Sequence, residues 1–305
     1  MPKPPSSFKN TRARPKKNKK AGLPFSSAPR ALPLIKDRKA KGEPFAPGTK
    51  ADRSAFKTEN GTYWLYGLHP AEAALLNPHR KIRHILVTAE TELQLLKRLS
   101  EREPDFRWPI PPEITQKETL TKVCGEEAVH QGVVLLVSPL SPPDILDIAE
   151  QQRTPLLVLD QVTDPRNIGA ILRSAAAFGV GAVIMQTRHA PAESGVLAKA
   201  ASGALEKVPL LQVVNLSRAL ESLKKAGYWV VGMEVSENIL NGEAYHGKPT
   251  VLVLGAEGSG LRRLVREHCD ELAGLKIHNQ IESLNVSNAA AIGLYELTRS
   301  TRTPS

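Results

Sequence analysis

LLVLDQVTDPRNIGAILR, residues 156–173, is the stretch whose reading decides the fold. Its first four residues are a continuous apolar run, the mark of a strand buried on both faces. A polar loop from Asp160 to Asn167 turns the chain at Asp164-Pro165. A helix is predicted over 168–178, with Ile168, Ile171, Leu172, Ala175, Ala176 and Gly179 on one stripe. A buried strand, a loop and an amphipathic helix are the repeating unit of a parallel sheet.

The pattern recurs on the C-terminal side. Strands are predicted over 182–185, 210–214, 229–233 and 250–254, and helices over 217–226, 261–268 and 284–299. The expectation is an α/β domain over residues 155–305, with a parallel sheet covered on both faces. In such sheets ligands bind beyond the carboxyl ends of the strands. On the N-terminal side, strands over 63–66, 82–87 and 132–137 and helices over 70–76 and 91–99 make a smaller α/β unit, residues 61–140. Ser141-Pro142-Pro143 and the Gln-rich stretch near 150–153 read as a linker over 141–154.

Charge separates a third region. The 305 residues hold 41 Lys+Arg and 31 Asp+Glu, a net +10. Residues 1–60 alone hold 16 basic and four acidic side chains, so the remainder is close to neutral. That extension also has nine of the 24 prolines and few large apolar residues, so it is read as a disordered basic extension. A polybasic arm for RNA phosphates and a merely solubilising tail both fit it. Its prolines disfavour the amphipathic helix of a transit peptide.

The same composition excludes other classes. The longest apolar runs, such as 133–137, fall far short of the ~20 residues of a membrane-spanning helix. No apolar stretch follows the basic start, as a secretory signal would need. Cys124 and Cys269 cannot build a disulfide framework, and no Cys/His cluster has structural-zinc spacing. The expectation is a cytoplasmic protein with no metal and no membrane partner.

Three loops at predicted strand ends carry candidate chemistry. The first ends at Asn167 and leads to Arg173. One reading makes Asn167 a helix cap and Arg173 a solvated charge; another makes both functional. The second follows the strand at 250–254 and reads Gly255-Ala256-Glu257-Gly258-Ser259-Gly260. Its three glycines permit a tight turn and close approach to a ligand, but it is neither a Walker loop nor the dinucleotide fingerprint. The third, Ser283-Leu284-Asn285-Val286-Ser287, opens the last helix. Ser283 and Asn285 suit either a helix cap or a substrate contact at the helix mouth.

In order along the chain, these loops resemble the motifs of the SpoU/TrmH family of RNA 2′-O-methyltransferases: Asn167 to Arg173, Gly255 to Gly258, and Ser283 to Ser287. Residues 63–138 are similar to the ribosomal-protein-like substrate-binding domain that precedes the catalytic domain in many members. Tyr66-Gly67-Leu68-His69 opens that part, and Val129-His130-Gln131-Gly132 stands near its end. The pairing points to the subgroup typified by bacterial large-subunit ribosomal RNA guanosine 2′-O-methyltransferases.

The resemblance implies a parallel sheet whose C-terminal segment is threaded into a trefoil knot, S-adenosylmethionine as cofactor, a homodimer, and ribosomal RNA as partner. By matched position it implies cofactor contacts at Gly255, Leu275, Ile277 and Leu284. It implies that Arg173 activates the ribose hydroxyl, with Asn167, Glu257, Ser283 and Asn285 at the other polar positions. Lys276 replaces a common proline of the cofactor loop, and Asn288 a usual apolar residue. Methyl transfer from a sulfonium needs in-line positioning and loss of one hydroxyl proton, with no metal. Arginine is a poor base, so stabilising a developing alkoxide suits Arg173 at least as well. Two alternatives stand beside this reading: a transfer-RNA ribose methyltransferase, and a non-catalytic RNA-binding ribosome-assembly factor.

Overall fold

The computed structural model describes residues 61–278 and 283–299; the basic extension lies outside the described residues. The larger sheet has six strands: β5 (Leu156–Leu159), β6 (Ala182–Gln186), β7 (Leu210–Val213), β8 (Trp229–Met233), β9 (Thr250–Leu254) and β10 (Glu271–Ala273), numbered after the four strands of the smaller sheet below. Their spatial order is β10-β8-β9-β5-β6-β7, and every pairing is parallel. The chain runs outward from β5 through β6 to β7, then crosses to the other side. The order reverses between β5 and β9, the place where open parallel sheets bind ligands.

The apolar run at 156–159 is buried on both faces. Leu157 and Leu159 join one apolar cluster with Ile168, Ile171 and Leu172, while Leu156 and Val158 join another with Leu216, Leu220 and Leu223. The second set comes from a helix at Leu216–Lys225, designated α7 below.

The smaller sheet comprises β1 (Tyr63–Tyr66), β2 (Ile82–Val87), β3 (Glu113–Ile114) and β4 (Val133–Val137) in the order β1-β4-β2-β3. It carries α1 (Leu68–Leu76), α2 (Ala89–Arg102) and α3 (Lys117–Cys124). Leu65, Ile85 and Leu135 of this sheet belong to the same apolar cluster as Leu157 and Leu172. The stretch read as a linker contains α4 (Ile145–Glu150), whose Ile148 and Ala149 are buried against the far face of the large sheet.

Among the remaining helices, α5 (Pro165–Ala177) begins earlier than expected. Asp164, not Asn167, is its cap, accepting from Arg166 N at 2.9 Å, and Pro165 occupies the first turn, where a missing N–H costs nothing. Asn167 therefore sits inside the helix. Next, α6 (Gly195–Ala201) packs directly on α5: a Cβ on Gly169 would lie 2.4 Å from Ala200 Cβ. After α7 come α8 (Arg263–Glu267) and α9 (Val286–Thr298). The last leans on α5, with Ala290 and Leu294 fully buried.

One ion-pair network joins the two halves. The Arg80 side chain, 0% exposed, donates Nη2 to Glu206 Oε1 at 2.6 Å and Nη1 to Glu193 Oε2 at 3.0 Å. Its Nη1 also reaches Ser138 O at 2.8 Å, while Tyr63 Oη donates to Glu193 and Asn77 Nδ2 to Glu206. Removing one partner of a buried pair strands the others. Arg80→Ala should therefore cost about 3–5 kcal/mol of unfolding free energy by urea titration. A loss under about 1 kcal/mol would show that water replaces the guanidinium without penalty.

Candidate active site

Three segments distant in sequence meet at the reversal between β5 and β9. From the first turn of α5, Asn167 Nδ2 donates to Glu257 Oε1 at 3.1 Å. From the start of α9, Asn285 Nδ2 donates to the same oxygen at 2.7 Å and to Asn167 Oδ1 at 3.2 Å. Val286 N completes the set at 3.3 Å from Glu257 Oε1. Asn285 is at once cap and bridge, because its Oδ1 accepts from Ser287 N at 2.9 Å. The structure thus shows this residue as the cap, with both hydrogens of its side-chain amide given to Glu257 and Asn167.

The loop between β9 and α8 owes its shape to glycine. Ala256 and Gly260 form an antiparallel bridge across it, and Gly258 and Gly260 have φ of 81° and 64°. A Cβ on Gly255 would lie 2.2 Å from the Gly260 carbonyl carbon, so no side chain fits there. This tight closure holds Glu257 at the loop's tip, where its side chain is exposed apart from the bonds above.

The loop is anchored by a contact absent from the sequence-based site. Asp160, fully buried at the end of β5, accepts from Arg262 N at 2.9 Å, from Nε at 2.7 Å and from Nη2 at 2.6 Å. A buried carboxylate needs such a partner. The sequence signal was available: an acid ending an apolar strand is out of place unless something pairs with it.

The other expected residues lie around this centre in different ways. Leu275 is half-buried against the apolar cluster that includes Leu254 and Val286. Ile277 and Leu284 are half-buried on either side of residues 279–282, which lie outside the described residues. Ser283 is exposed two positions before Asn285. Arg173 is exposed on α5, six residues from Asn167, and takes no part in the Asn167–Glu257–Asn285 network. At about 1.5 Å rise per residue, its Cα is about 9 Å further along the helix.

The arrangement offers amide and carboxylate groups, backbone donors and apolar walls. Among the described residues no group of His, Cys, Asp and Glu is assembled to hold a metal. Burial pushes the Cys124 and Cys269 thiols up to about 12, so neither supplies a thiolate at neutral pH. No helix of the described residues is long and apolar enough to cross a membrane.

Comparison with known proteins gives two family matches. Residues 154–295 match the SpoU rRNA Methylase family, and residues 64–143 match RNA 2′-O ribose methyltransferase substrate binding. The chain is 39% identical over 245 residues to the 23S rRNA (guanosine-2′-O-)-methyltransferase RlmB of Pseudomonas aeruginosa, covering 79% of this chain and 97% of that protein. It is 38% identical over 245 residues to the RlmB of Coxiella burnetii, covering 79% and 96%. Among solved structures it is similar to the SpoU methyltransferase AviRb from Streptomyces viridochromogenes in complex with AdoMet. That similarity has a TM-score of 0.63 and 25% identity, and covers 83% of this chain and 94% of that one.

The Asp160–Arg262 pair can be tested on its own. Asp160→Ala leaves the Arg262 amide without its acceptor while the guanidinium, 36% exposed, turns to water. The expected loss is about 2–3 kcal/mol, below that of a fully buried pair, with faster amide hydrogen exchange at 256–262. Unchanged exchange in that loop would show that Asp160 does not hold it.

Proposed function

The chain belongs to the SpoU family of RNA methylases, and we propose that it transfers a methyl group from S-adenosylmethionine to the ribose 2′-hydroxyl of a guanosine in large-subunit ribosomal RNA. The observation that carries this reading is the meeting of Asn167, Glu257 and Asn285, from three separated segments, at the reversal point of the sheet. A non-catalytic RNA-binding factor would have no need of that assembly. The matched front segment at 64–143 favours ribosomal over transfer RNA, in keeping with RlmB relatives matched along nearly their whole length.

The residues present fit the cofactor. Gly255 and the main chain of its loop, with half-buried Leu275, Ile277 and Leu284, offer backbone groups between apolar walls, as an adenine ring and an aliphatic methionine chain require. When bound, S-adenosylmethionine supplies an electrophilic methyl group on a sulfonium. The chain's own work is positional. Glu257 Oε1 is taken up by Asn167, Asn285 and Val286, which fixes the carboxylate and leaves Oε2 to accept from a ribose hydroxyl. Ser283, at the same helix mouth, adds a hydroxyl for the nucleotide. Arg173 stabilises negative charge developing on the 2′-oxygen. The 2′-hydroxyl is absent from DNA, so reaction site and substrate class are one.

The knotted path of the last segment belongs to the same proposal, since it would keep the glycine loop and the start of α9 side by side. So does a homodimer. Ile292 and Tyr295 are 42% and 52% exposed on one stripe of α9, and Phe178 of the neighbouring helix end meets Tyr295 edge-on. An exposed apolar patch on the helix beside the site suits a second copy of the chain, which would bring another surface to Arg173. The front unit, residues 61–140, and the catalytic unit, residues 155–305, then act together on an RNA recruited in part by the basic extension. All of this chemistry belongs in the cytoplasm, where ribosomes are built.

Ribose-methylation mapping of large-subunit RNA treated with the protein and S-adenosylmethionine should reveal one added 2′-O-methylguanosine. Arg173→Ala should lower kcat by about 100-fold or more. Its cofactor affinity by calorimetry should stay within about twofold, since the side chain acts on the transition state. An unchanged map with wild-type protein overturns the reading, and near-normal turnover by Arg173→Ala removes Arg173 from the mechanism. Deleting residues 1–55 should weaken RNA binding and flatten its salt dependence while sparing cofactor binding. Untouched RNA affinity would leave the extension a solubiliser.

A further inference from the structure

Two sequence motifs outside the active site meet each other. Tyr66-Gly67-Leu68-His69 joins the end of β1 to the start of α1, and Val129-His130-Gln131-Gly132 precedes β4. Gln131 Oε1 accepts from Leu68 N at 3.2 Å, and Gly67 N donates to Val133 O. Gln131 itself adopts φ +53, a left-handed conformation that costs a non-glycine residue energy and persists only where the surroundings impose it. What it achieves is a side chain turned toward the catalytic half, where the same Oε1 accepts from Lys199 Nζ.

Lys199 is fitted to this place. It stands on α6, and its methylenes lie over Gly67, where a Cβ would come 2.9 Å from Lys199 Cδ and 2.6 Å from Nζ. Gly67 has φ +99 with ψ 149, open only to glycine, so conformation and packing demand the same residue. A lysine whose stem is laid in a groove with its ammonium held by one neutral acceptor still has two N–H donors to give. Among the described residues no carboxylate pairs with it.

The neighbours are cationic too. Burial and the nearby charges of Lys117 and Lys199 hold His130 below its usual pKa. Its hydrogen bonds agree: Nδ1 accepts from Gly132 N at 3.1 Å, so the ring is neutral and Nε2–H is directed to Thr121 Oγ1 at 3.2 Å. On the other side, Arg166 is exposed in the first turn of α5. Arg166, Gly169 and Arg173 are spaced i, i+3, i+7 along one stripe of α5, and α6 packs on that stripe at Gly169. Lys117, whose carbonyl accepts from the Thr121 hydroxyl that meets His130, belongs to the front half, and Arg166, next to Asn167, to the catalytic half, with Lys199 on the helix packed between them.

We infer that Lys199, set by Gln131 over Gly67 and flanked by Lys117 and Arg166, is a phosphate-binding step that carries the RNA backbone from the front sheet to the nucleotide at Asn167 and Glu257. The inference rests on the RNA reading given under Proposed function. The ligand is a phosphodiester of the substrate strand, bound by charge and position and without base recognition. The junction between the two sheets then belongs to the substrate path, and the strained Gln131 is a positioning residue that acts through Lys199.

Lys199→Gln in the full chain is the test. The amide retains a donor for Gln131 Oε1 and much of the stem over Gly67, but carries no charge. RNA affinity of wild type, Lys199→Gln and Lys199→Arg is measured by fluorescence anisotropy on a ribosomal RNA hairpin across a salt series. Thermal midpoint and kinetic constants are measured alongside. The expected result for Lys199→Gln is a log K against log salt slope smaller by about 0.7–0.9, one phosphate contact. Affinity at ~0.1 M salt should fall about tenfold, with KM for RNA raised, kcat little changed and the midpoint unmoved. Lys199→Arg should restore the slope. An unchanged slope in Lys199→Gln overturns the inference, whether or not the midpoint falls. Wild-type protein that shows no RNA binding overturns it together with the substrate reading. Wild-type binding without methyl transfer overturns only the enzymatic reading, and the slope comparison still decides the phosphate step.

Discussion

Oε1 of Glu257 accepts from the side chains of Asn167 and Asn285 and from the backbone of Val286, so that one oxygen ties two helix starts to the loop after β9. Bonds to a carboxylate are about twice as strong as neutral ones. This carboxylate also sits at the positive end of α9 and satisfies one of that helix's unpaired N–H groups. Electrostatics and geometry therefore favour the same place for the charge. The loop that presents it has no freedom at Gly255, and Arg262 roots it on Asp160 beneath. The rest of the molecule can be viewed as what is needed to bring these segments within hydrogen-bonding distance of one another.

The two sheets are bound by a different kind of contact. A fully buried guanidinium at Arg80 faces two carboxylates from the catalytic half, with Tyr63 and Asn77 taking further lone pairs. Burial alone would lower the Arg80 pKa, but its bonds to Glu206 and the charges of Glu206 and Glu193 raise it. The network is specific in orientation, because a bidentate guanidinium tolerates little rotation. The apolar cluster that Leu65 and Leu172 share would allow sliding; Arg80 does not. The front sheet is accordingly held in one orientation beside the site.

Much of this was legible from residue patterns, and the misses have physical causes. The β5, β6, β8 and β9 runs were readable because strands buried on both faces must be continuously apolar. β10 was missed because three residues, Glu271–Ala273, give no period to detect. α6 was missed because it is built from small residues chosen for close approach to Gly169, which leaves it little hydrophobic periodicity. α4 was hidden by the prolines and glutamines around it. The start of α5 was placed late because Asp164 and Asn167 are both good caps, and Pro165 decides between them only once its position in the first turn is considered. In the site, the three loops could be picked out one by one, but their meeting could not: side-chain contacts spanning 28 to 118 residues leave no local trace. The resemblance supplied that grouping. Asp160–Arg262 lay outside it and went unseen, although a buried acid at the end of an apolar strand was there to be questioned.

The bridge from Asn167 to Asn285 also has a meaning in time. The two residues are 118 positions apart, which at ~5–20 residues per second is roughly 6–24 s of synthesis. Through that interval the first strand, its loop and α5 can form and pack, yet Glu257 arrives only 90 residues after Asn167 and the last helix 28 residues later still. The junction of the three segments comes into being only when the last helix docks. A growing chain is thus without this three-way junction until its final helix has been made.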